Sequence, residues 1–335
     1  MVKSKVYIYT KTFDGLPKEG DLVIKEEDLP PIKDGEFLAE AIYLSVDPYM
    51  RAYASRVPLG APYIGSQVAK IIESKNPDYP MGRHVSGYFG WRSHTVSNGK
   101  PVTLGFSSTP APILLPVVKD VPPSYFLGIL GMPGNTAYFG FLEICQPKKG
   151  ETVVVSGAAG AVGSVVGQIA KIKGCTVIGI AGSEEKGKWL LDELGFDHFI
   201  NYKTADLDKA LSQVAPKGVD CYFDNVGGET TITILKHMNE LGRISVCGTI
   251  SSYNEKDGRI LFELFSLVSK QIKMEGFLVH RWSDRYTEGV QQNLKWLQEG
   301  KLKTRETVTE GFENMIKAFV EMLQGKNFGK AVVKV

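Results

Sequence analysis

The chain has 335 residues, 43% hydrophobic and 23% charged, with 39 Lys and Arg against 37 Asp and Glu. A net charge of +2, with both signs mixed and no basic run, argues against nucleic acid or an anionic membrane surface as a partner. No stretch approaches the roughly 18 apolar residues of a membrane helix, and with no long apolar run behind Met1-Val2-Lys3-Ser4-Lys5 no signal peptide is expected.

The length suits two domains. Up to about residue 120, short β-like runs (22–25, 36–44, 67–73 and 84–89) are broken by Pro and Gly. They predict an irregular, mostly antiparallel barrel or sandwich. The texture changes at Pro122-Pro123-Ser124, where Ser124 is placed to cap a helix running into Gly131-Met132-Pro133-Gly134. A second helix is expected over 135–144.

From residue 151 strands and helices alternate. Strands are predicted at 152–156, 176–181, 198–202, 219–224 and 243–247. Helices at 162–173, 184–194 and 230–241 are closed by Gly174, Gly195 and Gly242. Such alternation predicts an α/β fold with a doubly wound parallel sheet. The tail reads as a strand over 301–309, a helix over 312–323 and a strand over 330–335. We expect it to return to the first domain and leave a cofactor in a cleft between two lobes. The expected domains are 1–122 with 301–335, and 123–300.

Cys145, Cys175, Cys221 and Cys247 form no CxxC pair, and the five histidines are scattered. Buried reduced thiols in a cytoplasmic protein are the natural reading. No spacing suggests zinc, so no metal site is predicted.

The most informative stretch is Val153-Val154-Val155-Ser156-Gly157-Ala158-Ala159-Gly160-Ala161-Val162-Gly163-Ser164. It is an apolar strand, a glycine turn and a helix start, the order in which a βαβ unit meets a dinucleotide's pyrophosphate. Against GxGxxG it reads Ala158-x-Gly160-x-x-Gly163, with the first glycine replaced. Gly160 admits close approach of backbone amides, and the helix start at 162–164 adds partial positive charge. The alternative is a merely structural turn. An NAD site places Asp or Glu at the end of the next strand. Here that end is Ile180-Ala181-Gly182-Ser183, with Glu184 and Glu185 one step late and Lys186 behind them. Small residues with a lysine suit a 2′-phosphate and therefore NADP(H). The alternative for Lys186 is a solvated helix lysine.

Three strings carry a wider likeness: Ala158 to Ser164, Asp224-Asn225-Val226-Gly227-Gly228-Glu229, and Asp47-Pro48-Tyr49-Met50-Arg51. With Gly131-Met132-Pro133-Gly134, Cys247-Gly248-x-Ile250-Ser251-x-Tyr253 and Gly311-Phe312-Glu313-Asn314-Met315, the chain resembles the zinc-independent medium-chain dehydrogenases/reductases, in their double-bond reductase branch. The resemblance runs from Lys5 to the C-terminus. It implies a Rossmann domain with a GroES-like first domain and a homodimer, to which 244–247 and the apolar 260–268 would contribute.

The resemblance also implies a cofactor shell. Gly160, Ala161, Val162 and Gly163 would hold the pyrophosphate, and Lys186 and Tyr202 the 2′-phosphate. Asn225 would lie against the cofactor, and Cys247, Gly248, Thr249, Ile250, Ser251, Ser252 and Tyr253 would line its ribose and adenine side. Phe277, Leu278 and Val279 would offer backbone groups to the carboxamide, and Asn327 would close over the cofactor. Tyr202 as packing and Asn225 as a turn former stay open.

The implied reaction is NADPH-dependent reduction of the carbon–carbon double bond of α,β-unsaturated ketones and aldehydes, 15-oxo-prostaglandins and 2-alkenals among them. Oxidation of the leukotriene B4 12-hydroxyl would be secondary. Tyr253 is the candidate catalytic side chain, with solvent or the ribose hydroxyl as rival proton sources. Tyr49 is a candidate for the substrate side, against plain packing. Arg56 is a candidate for a fatty-acid carboxylate, against a surface arginine. A zeta-crystallin-like quinone reductase and a non-catalytic NADPH-binding protein are the rival functions.

Overall fold

The alternation that begins at Thr152 closes into one parallel sheet. Its strands are Thr152–Ser156, Thr176–Ala181, His198–Asn201, Val219–Asp224, Met238–Val246 and Lys273–Gly276. Counted along the chain they lie in the order third, second, first, fourth, fifth, sixth. This is the doubly wound order of a dinucleotide-binding fold. The winding reverses between the first and fourth strands, and because these are parallel the loops after Ser156 and Asp224 both leave from the carboxyl end of the sheet. Val153, Val154 and Val155 are fully buried, as a central parallel strand covered on both faces requires. Val154, Ile178, Ile200, Tyr222 and Ile244 share one core.

The computed structural model describes residues 1–104, 107–255 and 265–335. Its contacts divide the chain into 1–127 with 306–327 and 331–335, and 128–305 with 328–330. Phe328–Lys330 of the tail joins the second unit. Gly329 N donates to Ala159 O at 2.8 Å there, which ties that piece of the tail to the glycine turn.

The first unit is mostly β. Val2–Tyr9 pairs antiparallel with Leu22–Leu29. A seven-stranded sheet has Phe37–Ser45 at its centre, pairing antiparallel with Gln67–Ser74, His94–Ser97 and the tail strand. Tyr7, Tyr9, Met50, Tyr63, Trp91, Phe319 and Val333 form its core. Tyr63 meets Trp91 edge to face at 4.9 Å.

Several expected elements shift. The helix expected over 230–241 is Gly228–His237, and the next strand already starts at Met238. Met238 is buried opposite Val219; pairing then jumps to Cys221 with Arg243. Leu241, at φ 60°, turns within this bulge, so the glycine after it ends no helix. Ser124 caps no long helix. Its Oγ donates to Glu306 Oε2 at 2.7 Å, and Pro123–Leu127 is a 3₁₀ turn. The following helix starts at Met132 with Pro133 in its first turn and continues as a π-turn to Cys145. The dimer expectation for 244–247 meets a topological obstacle. Ile244, Ser245 and Val246 lie within the fifth strand, which is paired on both sides, and Cys247 follows it. Positions 260–264 of the other expected contact lie outside the described residues.

Candidate functional site

The glycine turn is built on three glycines spaced by three. Gly157 has φ 58°, and Gly160 N donates to its carbonyl at 3.0 Å. A Cβ on Gly163 would lie 2.4 Å from that carbonyl, so only glycine lets the helix Gly163–Ile172 start so close to the turn. The result is a concave backbone at a helix N-terminus, the shape and polarity a pyrophosphate needs. The GxGxxG pattern does not include Gly157; the Gly157/Gly160/Gly163 spacing is the signal that finds it.

Asp224 underpins this turn from the neighbouring strand. It is 1% exposed, and its Oδ1 accepts from Tyr222 OH at 2.7 Å, Gly227 N at 2.8 Å and Val226 N at 2.9 Å. Ser156 Oγ also donates to Oδ1, and Thr231 Oγ1 donates to Oδ2. Burial, then the Asp224 charge, holds the Tyr222 phenol well above its usual range. The same Ser156 Oγ accepts from Asn225 N, and Asn225 Nδ2 donates to Ser156 O at 2.7 Å. Asn225 thus clamps the ends of the first and fourth strands together. Along the sequence Asp224 reads as a turn residue, because only its long-range partners distinguish it.

At the end of the second strand, Ser183 Oγ caps the helix Glu184–Lys188 by accepting from Lys186 N. Glu184 Oε1 accepts from Asn201 Nδ2 at 2.7 Å, which turns that carboxylate toward the third strand. Lys186 is 9% exposed. Burial, then the charge of Lys203, pushes its ammonium below the usual lysine range, with Glu185 opposing. Tyr202 is exposed, and Gly182 leaves room for it: a Cβ there would lie 3.1 Å from its hydroxyl. Lys186 Nζ stands 5.5 Å from the Phe328 ring centre, and Lys203 Nζ stands 6.0 Å from that of Tyr202. Lys186 and Tyr202 thus share a cationic, aromatic corner with three residues that carry no signal along the sequence: Lys203, Phe328 and Arg305, the last 4.4 Å from the Phe328 ring centre.

The loop after the fifth strand folds back on the fourth. Cys247 N and Gly248 N donate to Asp224 O, Ile250 N to Asn225 O and Ser251 N to Val226 O. Ser252 Oγ donates to Thr249 O. Burial, then the Asp224 charge, pushes the Cys247 thiol up to about 12. The Tyr253 hydroxyl accepts from Thr249 N at 3.2 Å, and a Cβ on Gly248 would lie 2.9 Å from it. Tyr253 therefore lies beneath its own loop. Phe277 packs on Gly140 and faces Phe223 at 6.2 Å. Leu278 is exposed, and Val279 opens a 3₁₀ turn. Asn327 closes the first unit's share of the tail, immediately before Phe328.

In the first unit Tyr49 opens the short helix Tyr49–Ala52, which Tyr63 anchors by donating to Met50 O at 2.7 Å. Burial, then Tyr88 and Asp47, holds the Tyr49 phenol well above its usual range. Ser45 Oγ donates to Asp47. Arg56 lies 5.1 Å over the Tyr53 ring and lines an apolar pocket of about 80 Å³ with Val57, Ile64, Phe89 and Arg92. Tyr49 and Arg56 are thus close in sequence, and only Arg56 lines this pocket. Among the described residues no group of three or more His, Cys, Asp or Glu could hold a metal ion.

Residues 5–104 match the family model described as the N-terminal domain of oxidoreductase, and 161–298 match the zinc-binding dehydrogenase model. The chain is 47% identical to prostaglandin reductase 1 of Bos taurus, covering 100% of both chains. It is 42% identical to the NADP(+)-dependent 2-alkenal reductase of Nicotiana tabacum, covering 100% of this chain and 98% of the relative. The crystal structure of CurA from Vibrio vulnificus in complex with NADPH superposes with a TM-score of 0.91 at 38% identity, covering 99% of each chain.

Proposed function

The chain belongs to the prostaglandin reductase 1 family of NADP-dependent medium-chain oxidoreductases, and on that premise we propose that it reduces the carbon–carbon double bond of α,β-unsaturated ketones and aldehydes. The observation that supports the cofactor half is the corner beyond the second strand. Lys186 and Lys203 gather there while Glu184 is bonded to Asn201, so cations stand where an NAD site keeps an acid. The glycine turn, which a Cβ at Gly163 would fill, fits a pyrophosphate.

When bound, NADPH supplies the hydride that adds to the substrate's β-carbon. A proton then reaches the α-carbon, and charge develops meanwhile on the carbonyl oxygen. The chain's own work is to bind and orient. Gly160, Ala161, Val162 and Gly163 hold the pyrophosphate with backbone amides, and Lys186 and Tyr202 hold the 2′-phosphate. Asn225 and the loop 247–253 support the sugar side, and the backbone at 277–279 fixes the carboxamide. Asn327 closes the tail side. Tyr253 orders the loop by accepting from Thr249 N, and its hydroxyl is the candidate proton donor. Tyr49 lies on the substrate side, its raised pKa keeping the phenol a donor for the carbonyl oxygen. Arg56 pairs a carboxylate at the far end of lipid-derived substrates, while its apolar pocket takes hydrocarbon.

On this reading the substrates include 15-oxo-prostaglandins and 2-alkenals, and leukotriene B4 oxidation is a minor reverse activity. We further place the chain in the cytosol, where its four free thiols persist, as a homodimer. The strand Lys273–Gly276, which among the described residues is paired on one side only, is the edge it offers for that contact. Sedimentation at the mass of a monomer would remove the dimer.

NADPH consumption against a panel of an alkenal, a 15-oxo-prostaglandin, its methyl ester and a simple quinone tests the function. Turnover of the enones above the quinone is expected. Turnover of the quinone alone would overturn the reading, and binding without turnover would make the chain a carrier. An ester as good as the free acid would remove the role of Arg56.

A further inference from the structure

Phe328 is a ring shared by two cations. Arg305 Cζ lies 4.4 Å from its centre and Lys186 Nζ lies 5.5 Å from it, while Trp189 meets it at 5.9 Å and 67°. The ring is held by backbone on both sides. Gly329 N donates to Ala159 O at 2.8 Å within the glycine turn, and Lys330 N donates to Arg305 O at 3.0 Å. Gly329 has φ 56°, and a Cβ there would fall 1.9 Å from Arg305 O, so the segment admits no side chain at its middle residue. Three residues of tail thus fasten Arg305 to the turn that receives a pyrophosphate and to the lysine beyond the second strand.

Like charges crowded on one corner repel. Lys186 already feels Lys203, and the exposed Arg305 brings a third cation to the corner by stacking on the ring that Lys186 also faces. Stacking on an aromatic face pre-orients a guanidinium, and its planar fork suits phosphate oxygens. A dianion bound at this corner turns the mutual repulsion into shared attraction.

We propose that Arg305 is a further ligand of the coenzyme's 2′-phosphate and that Phe328 is the positioning residue that aims both Arg305 and Lys186 at it. Coenzyme selectivity is then set partly by the C-terminal tail and not by the second strand's end alone. The proposal rests on the NADPH reading above.

Calorimetric binding of adenosine 2′,5′-bisphosphate and of adenosine 5′-monophosphate to the full chain separates the two. Arg305→Gln is expected to weaken the bisphosphate about tenfold or more and leave the monophosphate alone, as loss of a charge-assisted phosphate contact requires. Arg305→Lys should recover part of the loss, since the charge returns without the fork. Phe328→Leu should weaken the bisphosphate about threefold. In the double variant the two losses should fall short of their product, because one residue acts through the other. Lys301→Gln, which removes an exposed cation paired with Glu299 at 2.8 Å, controls for bulk charge and should change neither ligand. An Arg305→Gln chain with undiminished preference for the bisphosphate, or with equal losses for both nucleotides or equal to those of Lys301→Gln, overturns the proposal alone. A wild-type chain that does not discriminate between the nucleotides overturns the NADPH reading with it.

Discussion

The Tyr222 hydroxyl donates to Asp224 Oδ1 at 2.7 Å, two residues along the same strand. Both side chains are buried, and the carboxylate they share with Ser156, Thr231 and two loop amides ends the strand in a fixed shape. The glycine turn inherits that shape through Asn225. Tyr222→Phe removes one donor and should cost about 1–2 kcal/mol. A melting temperature lowered by about 2–8 °C in thermal unfolding would follow. Asp224→Ala strands several donors at once and should cost more while weakening NADPH binding. An Asp224→Ala chain as stable as Tyr222→Phe would show that the carboxylate is not the hub.

Alkaline stability follows from the buried phenols. Tyr7 and Tyr286 are pushed up to about 12 by burial, with Glu313 adding to it at Tyr7, and Tyr49, Tyr63 and Tyr222 are held well above their usual range. Above a pH of about 10 the unfolded chain releases these protons and the folded chain keeps them. Their contribution is therefore complete below pH 10 and is lost as pH rises toward the folded values. Melting temperatures should fall steeply from pH 10 to 11, less so in Tyr222→Phe. A flat profile to pH 11 would contradict the assignment.

Gly163→Ala places a methyl 2.4 Å from Gly157 O, a backbone atom that cannot rotate aside. The helix start must shift, and a loss of about 1–3 kcal/mol with a matching fall in NADPH affinity is expected. Gly195→Ala provides the comparison, since its φ of 73° brings strain alone and a Cβ there meets nothing within 4 Å among the described residues. It should lose stability without losing affinity for NADPH. Equal affinity losses in both would detach Gly163 from the cofactor.

Lys186→Ala should lower kcat/KM for NADPH about tenfold to a hundredfold while leaving NADH nearly unchanged. The lowered lysine pKa adds a pH signature. Lys186 carries its charge below that pKa, so preference for NADPH is full at neutral pH and declines before the usual lysine range near 10.4 is reached. Lys203→Gln removes the like charge and should move the decline to higher pH. A profile unmoved by Lys203→Gln would separate the two lysines.

Tyr253→Phe deletes the oxygen that accepts from Thr249 N and leaves that amide unpaired. If the hydroxyl serves only the loop, the KM for NADPH should rise while turnover holds. A fall in kcat with a solvent isotope effect would place it in proton delivery. Steady-state kinetics in light and heavy water decide between them.

Much of this was legible along the chain, and the reason is locality. Strands such as Thr152–Ser156 and Thr176–Ala181 are announced by apolar runs and glycine stops that act over a few residues. The glycine turn, the missing acid after the second strand and Lys186 lie within one βαβ unit. The likeness of strings in shared order supplied the family. Where locality failed, the reading failed: the strand from Met238 looked helical because its partner Val219 lies 19 positions back.

What the tertiary structure alone decided is which side chains meet. Asp224 reads as a turn residue until Tyr222, Ser156 and Thr231 converge on it. Glu184 reads as a late ribose acid until Asn201 claims it. Arg305 and Phe328 carry no local signal, because the chain brings them to Lys186 from more than a hundred residues away. Periodicity encodes which face of an element is buried, but a charge's partner depends on how distant elements pack.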